Sequence, residues 1–390
     1  MVNKLYNSII VGTGLAGAVM ARKLAEERNE KVLIIDKRSH IGGNCYDEYD
    51  SNGVLIHTYG PHIFHTSEKE VFEFLSRFTE WIPYKHKVMG NIYGTLVPIP
   101  FNLNSIDLVY DKEKAEVLKN KLVEAYGLES SIPILELLHS EDSDIVELAK
   151  YVYENVFLKY TMKQWNKLPE EIDQSVTKRV PVVISYHDGY FHDTYEGMPK
   201  DGYTKLFEQM LTHPNITVLL DTDLSDMITF ENTESEIYEI HYKGEPFTGK
   251  LIYTGPVDEL FDHKYGQLPY RSLDFKFEQY DKPYYQSAAV VNYTVSEDFT
   301  RITEFKYMTG QSGLDKTTIL KEYPKQYQGN EDEIPYYPID NEENLKLYHR
   351  YVDELKHYDR VYLLGRLAEY KYYNMDAIVK KALLLEREII

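Results

Sequence analysis

A single cysteine, Cys45, occurs in 390 residues. It excludes an intrachain disulfide and points to a reducing, cytoplasmic setting. Tryptophan is nearly as scarce, with two residues, and only eleven of the 43 basic residues are arginine. Against those 43 stand 63 acids, a formal charge of -20. That balance argues against a general nucleic-acid or anionic-membrane surface, since both need basic patches. No apolar run approaches the roughly 20 residues that span a bilayer. There is no internal repeat, no low-complexity tract and no His/Cys spacing that implies a metal site; His57, His62 and His65 fall in a Gly-Pro loop rather than on one helix face.

What is present begins near the N-terminus. Ser8-Ile9-Ile10-Val11 reads as a buried strand. It runs into Gly12-Thr13-Gly14-Leu15-Ala16-Gly17, then a helical stretch to Glu27, then a second strand, Lys31 to Ile35, ending in Asp36. In this context Gly12 serves the tight turn, Gly14 lets a pyrophosphate approach the backbone, and Gly17 lets helix pack on strand. The helix N-terminus offers free N–H groups to phosphate. Asp36 is placed to accept the ribose hydroxyls. Arg38 and the Gly42-Gly43 turn follow at once, and this second element points to FAD rather than NAD. Cys45 beside that turn reads as a small packing residue.

Further along, helical periodicity dominates from about residue 102 to 162, with Ser67 and Glu70 marking an earlier helix start. Strand-like segments return at 180–195, 216–219, 237–242, 251–253, 272–279, 288–293, 301–307 and 361–364. Asn374 or Asp376 is suited to cap a terminal helix. The fold expected is α/β: a discontinuous Rossmann-like FAD domain (1–83, 200–258 and 338–390), a helical-bundle insertion (100–170) and an antiparallel sheet domain for substrate (179–199 and 259–337). Arg179, Arg271 and Arg301 sit among apolar or aromatic residues. Each either pairs with one of the 63 acids or meets an anionic ligand such as a diphosphate. Trp165 lies before a polar, Pro-containing segment, 166–178, that reads as a lid; the ring serves either to stack on a base or to anchor a helix end. The 36 tyrosines are compatible with half-buried packing and with a sugar site alike.

Several segments together carry a family resemblance over nearly the whole chain: Gly12–Gly17 with Asp36, Arg38–Asn44, Tyr59–Thr66, Tyr160–Trp165, Thr300–Glu304, Tyr336–Ile339 and Gly365–Asp376. The sequence resembles the bacterial UDP-galactopyranose mutases. The resemblance implies interconversion of UDP-galactopyranose and UDP-galactofuranose, for cell-surface glycans, by a cytoplasmic homodimer. The implied chemistry uses reduced FAD, whose N5 attacks the anomeric carbon with UDP as leaving group and no net redox change. It implies a cofactor set of Gly12, Gly14, Leu15, Gly17, Asp36, Lys37, Arg38, Gly43, Asn44, His62, Gly365, Arg366, Tyr372, Asn374 and Met375. It places Tyr160, Trp165, Arg179, Tyr190, Arg271, Arg301, Tyr336, Tyr372 and Asn374 on substrate, with Arg179, Arg301, His62, His65 and Arg366 nearest the chemistry. Relatives often carry aspartate where Asn374 stands, so a positioning role is expected there rather than proton transfer. The other reading of the N-terminal fingerprint is a FAD-dependent oxidoreductase of the amine-oxidase type.

Overall fold

The computed structural model describes residues 5–165, 181–232, 238–330 and 333–389. Ser8–Val11 and Val32–Ile35 are short, almost wholly apolar runs, and both are buried because the sheet is covered on both faces: Ile10 and Ile34 pack against helices, Ile9 and Leu33 against Ile228 and Ile240 of a small antiparallel sheet. They form the centre of a five-stranded parallel sheet in the order Ile216–Leu219, Val32–Ile35, Ser8–Val11, Lys250–Tyr253, Val361–Leu363. Ile10 pairs with Ile34 on one side and Ile252 on the other. Helices Leu15–Glu27, Tyr203–Leu211 and Met375–Glu388 contribute Met20, Phe207 and Val379 to one core with Phe64. The nucleotide-binding unit is therefore assembled from three separated stretches of chain.

The second sheet has seven strands, in the order Tyr337–Pro338, Tyr270–Tyr280, Thr317–Gln326, Arg301–Glu304, Val290–Tyr293, Val88–Ile92, Thr95–Ile99. All neighbours are antiparallel except Val290–Tyr293 against Val88–Ile92, which run parallel. The hairpin at 88–99 falls between the expected domains and supplies one edge of this sheet. Of the stretch 179–199, expected in the same sheet, the described residues 181–199 pair elsewhere. Pro181–Ile184 lies between Ser130–Pro133 and Phe101–Asn102. Tyr195–Pro199 lies between Phe64–Thr66 and Trp81–Pro83. The strand expected at 301–307 stops at Glu304, where a short helix, Phe305–Thr309, begins.

The helical insertion comprises Leu103–Val109, Lys112–Tyr126, Ile134–Leu137 and Ser143–Val152, with Leu118, Leu122, Ile145 and Leu148 in its own core. Asn102, Asp111 and Asp142 cap three of these helices through their side chains. A π-helical turn, Tyr153–Leu158, then leads into helix Lys159–Trp165. No helix among the described residues is long and apolar enough to cross a membrane.

Candidate active site

One cavity of about 2290 Å³ runs from the glycine turn of the parallel sheet to the face of the seven-stranded sheet. Pockets for one small ligand hold roughly 300–1,000 Å³, so this space suits a dinucleotide and a nucleotide sugar together.

At the first end the backbone is shaped for a pyrophosphate. Gly12 adopts φ +100°, and a Cβ there would lie 2.1 Å from Thr254 Oγ1. A Cβ on Gly17 would meet the Gly12 carbonyl oxygen at 1.9 Å, which is why helix and strand approach so closely. Gly14, by contrast, has ordinary extended dihedrals and an open neighbourhood; its nearest atom to a Cβ is Gly43 Cα at 3.8 Å. What its bare Cα leaves is space on the cavity side. Asp36 is buried, its Oδ2 accepting from Thr13 N–H (2.8 Å) and Thr13 Oγ1 (2.6 Å), and its Oδ1 from Arg38 N–H (3.0 Å). Oδ2 is thereby filled, and Oδ1 keeps a second lone pair for a ribose hydroxyl. Arg38 is tied to Asn44 Oδ1 (2.9 Å) and lies 4.4 Å from the Tyr59 ring centroid, while Lys37 reaches Glu259 at the rim. Leu15, Gly43, Gly365 and Met375 also line the cavity. This end fits an FAD: a helix N-terminus and bare glycines for phosphate, a carboxylate for ribose. Cys45 is buried, and burial pushes its thiol up to about 12, as a packing residue requires.

At the second end, three neighbouring strands put one row of side chains on the same face. Asn292 pairs with Arg301, and Arg301 with Glu322. Arg301 Nε lies 3.4 Å from Glu322 Oε2, and an Arg301 Nη donates to Tyr160 Oη at 3.2 Å; Gln164 donates to the same hydroxyl at 3.0 Å. Burial alone would depress Arg301, but the Glu322 carboxylate and Tyr160 hold its guanidinium well above the ordinary value, so it stays charged. Asn292 Oδ1, Arg301 Nε, Glu322 Oε1 and Tyr336 Oη are all buried on this wall without a hydrogen-bond partner. Such groups cost about 1–3 kcal/mol each when left unmet, so they are places where a polar ligand gains most.

Tyr190, Tyr337 and Tyr372 complete the wall. Tyr337 and Tyr372 stack at 5.8 Å, and Arg366 lies over both rings while donating to the carbonyls of Tyr336 (3.1 Å) and Tyr373 (2.8 Å). Arg366 thus ties the C-terminal loop to the Tyr336 segment. Asn374 occupies the N-cap position of the last helix, yet its side chain makes no capping bond and it lines the cavity.

Burial favours the neutral form of three histidines, His57, His62 and His86. His62 Nδ1 lies 2.8 Å from the Gly60 carbonyl oxygen, which can only accept, so Nδ1 carries the proton and Nε2 a lone pair. His57 Nδ1 accepts from His62 N–H at 3.0 Å. Burial lowers both to about 4, and His86, bonded to Tyr84, to about 3. His65 Nδ1 meets Asp193 Oδ2 at 2.7 Å and its ring stacks on Phe191 at 3.6 Å. Between pH 6.5 and 4 the unfolded chain binds a proton at His57 that the folded chain does not. Stability therefore rises with pH across that window and is lost as pH falls through it, by about 1.4 kcal/mol per pH unit for one such group. Urea midpoints measured from pH 7 to 4.5 should show that fall, and His57→Gln should lessen the slope by one group's share while His62 and His86 keep theirs; an unaltered slope would mean that His57 takes no part.

Of the residues expected from sequence, Tyr160, Tyr190, Arg301, Tyr336, Tyr372, Asn374, His62, His65 and Arg366 converge on the cavity. Arg271 is not among the lining residues: it shares the sheet face of Arg301 but lies against the Tyr337 ring, 5.8 Å from its centroid. Arg179 and the segment 166–178 lie outside the described residues, and Trp165 ends the helix that precedes them. Ser67 caps no helix; its hydroxyl donates to Asp193 and the helix opens at Lys69. Sequence reasoning missed Asn292, Glu322, Tyr337 and His86, whose only signal is register or proximity across strands.

A family model described as UDP-galactopyranose mutase matches residues 155–372, and one described as a NAD(P)-binding Rossmann-like domain matches residues 10–78. The dTDP-fucopyranose mutase of Escherichia coli is 35% identical over 378 residues, 96% of either chain. A probable UDP-galactopyranose mutase of Klebsiella pneumoniae is 36% identical over 379 residues, 97% of this chain and 93% of its own. Among solved structures, a reduced UDP-galactopyranose mutase superposes with a TM-score of 0.70 at 14% identity, covering 98% of this chain and 93% of that one, a likeness of fold. With near-complete coverage at this identity, and a cavity built for a flavin dinucleotide, the chain belongs to the UDP-galactopyranose mutase family of flavin-dependent mutases.

Proposed function

We propose that the protein interconverts UDP-galactopyranose and UDP-galactofuranose. The observation that carries this reading is the row Asn292–Arg301–Glu322, with Tyr336 beside it: one fixed cation and several unmet polar atoms on a cavity wall facing the flavin cradle. A nucleotide sugar has the matching chemistry, a diphosphate for the arginine and vicinal hydroxyls for the acceptors. Reduced FAD supplies the nucleophile when bound. The chain's own residues bind and orient: Arg301 with Arg179 takes the diphosphate, Trp165 the uracil, and Tyr160, Tyr190, Tyr336 and Tyr372 the groups between. Asn374, an amide with no acid–base chemistry and no capping bond, orients substrate or flavin. His62 presents an unprotonated Nε2 and so accepts rather than donates. The lone buried cysteine and the family resemblance support a cytoplasmic setting; the resemblance alone supports a homodimer and a role in surface-glycan synthesis.

One relative is named for a dTDP-6-deoxy sugar, so the substrate test compares both. Anaerobic turnover of UDP-galactofuranose and dTDP-fucofuranose by the dithionite-reduced protein should favour the former in kcat/KM. A reversed preference would reassign the substrate within the same chemistry. Failure to turn over either, with steady oxygen-dependent oxidation of an amine, would instead favour the amine-oxidase type.

A further inference from the structure

Lys163 sits three residues after Tyr160 on helix Lys159–Trp165, and its ammonium is directed away from solvent. It donates to three backbone carbonyls of one loop: Tyr293 O at 2.5 Å, Glu297 O at 2.9 Å and Phe299 O at 3.3 Å. An ammonium has three donors, and here each has an acceptor. The loop so gathered joins the strand of Asn292 to the strand of Arg301. It is closed by Tyr293 N–H on Thr300 O (2.9 Å), and its far end is fixed where Thr300 N–H and hydroxyl both donate to Glu322 O. Arg301 is the next residue. The same helix, one turn earlier, presents the Tyr160 hydroxyl that Arg301 bonds.

We infer that Lys163 is a positioning residue: by clamping the 293–299 loop to the Tyr160 helix it fixes Tyr160 and Arg301 relative to one another, so that the anion-binding face is formed before ligand arrives. Three carbonyls converging on one point repel each other once the cation is removed, and burying them unmet is costly. The loop must then open, and both ends of the Tyr160–Arg301 bond are free to separate. Burial lowers the Lys163 pKa, and Glu297 and Asp298 oppose that shift in part. Preorganisation of this kind strengthens binding by reducing what the ligand must order.

The inference rests on the reading of Arg301 as a diphosphate-binding residue, and the test separates the two. UDP binding is measured by calorimetry on the flavin-loaded protein, on Lys163→Met, on Tyr160→Phe and on the double variant. Lys163→Met should raise Kd about tenfold with flavin content and absorbance spectrum unchanged, and by less than about threefold in the Tyr160→Phe background, the non-additivity of residues that act through one contact. An unchanged Kd, or an equal factor in both backgrounds, overturns the inference while leaving the site intact. Absence of UDP binding in the unsubstituted protein overturns the site reading itself. Should Lys163→Met fail to fold, Lys163→Gln retains two donors and should give an intermediate Kd. Loss of flavin in that variant too would show a purely structural lysine and overturn the positioning role.

Discussion

Arg301→Ala should lower kcat/KM by about a thousandfold, the scale seen when a fixed charge-stabilising group is removed from a water-poor site. The reason lies in what surrounds it. Arg301 is the cation at the centre of the Asn292–Arg301–Glu322 row, and a developing UDP leaving group carries its charge on the diphosphate. The substitution also strands Glu322, which is 3% exposed and has one carboxylate oxygen already unpartnered. Breaking a buried pair from one side costs about 3–5 kcal/mol in stability. Activity and melting temperature should therefore fall together, and the single variant cannot say which loss matters. The double variant Arg301→Ala/Glu322→Gln removes the stranded charge. It should recover most of the lost melting temperature and none of the turnover. Recovery of turnover together with stability would mean that Arg301 serves the fold and not the substrate.

Gly14→Ala should yield a folded, colourless protein, with FAD affinity reduced by more than about a hundredfold, near 3 kcal/mol. Its backbone is extended at φ -67°, which any residue adopts, and a Cβ meets nothing closer than 3.8 Å. Glycine to alanine at a helix N-cap costs about 1 kcal/mol or less. The added methyl nonetheless occupies the face of the helix start that a pyrophosphate must approach. Gly12→Ala makes the contrast. There the left-handed φ of +100° and the 2.1 Å approach to Thr254 Oγ1, a hydroxyl already donating to Val11 O, strain the fold itself. Gly12→Ala should thus lose flavin and stability together, Gly14→Ala flavin alone. Normal flavin content in Gly14→Ala would place the phosphates elsewhere.

The nucleotide-binding unit was legible in sequence because its constraints are local. A turn that only glycine can make, a helix start and a buried strand fall within thirty residues, and each leaves its mark on residue type. The substrate wall is different. Glu322 is chosen by cross-strand register with Arg301, 21 positions away, and nothing in Lys321-Glu322-Tyr323 distinguishes it from a surface glutamate. The 88–99 hairpin escaped because its turn places Tyr93 at φ +50°, a conformation signalled by glycine or asparagine at that position; Asn91 supports the turn instead by accepting from Gly94 N–H at 2.7 Å. Ser67 has the pattern of a cap, but Asp193 on a distant segment claims its hydroxyl. Arg271 and Arg301 look alike as arginines among aromatics, and register puts both on one sheet face, opposite Gln326 and Glu322 of the same strand; Arg301 lines the cavity, while Arg271 lies against Tyr337 at the sheet's edge.

A flavin held by the dinucleotide cradle should work on a nucleotide sugar without being consumed as a redox reagent. This is tested most directly by following UDP-galactofuranose and UDP-galactopyranose under anaerobic conditions with the flavin fully oxidised and then fully reduced. Interconversion is expected only in the reduced protein, over many turnovers, with the flavin spectrum reduced at the end as at the start. Equal rates in the oxidised protein, or one equivalent of flavin oxidised per product formed, would contradict it.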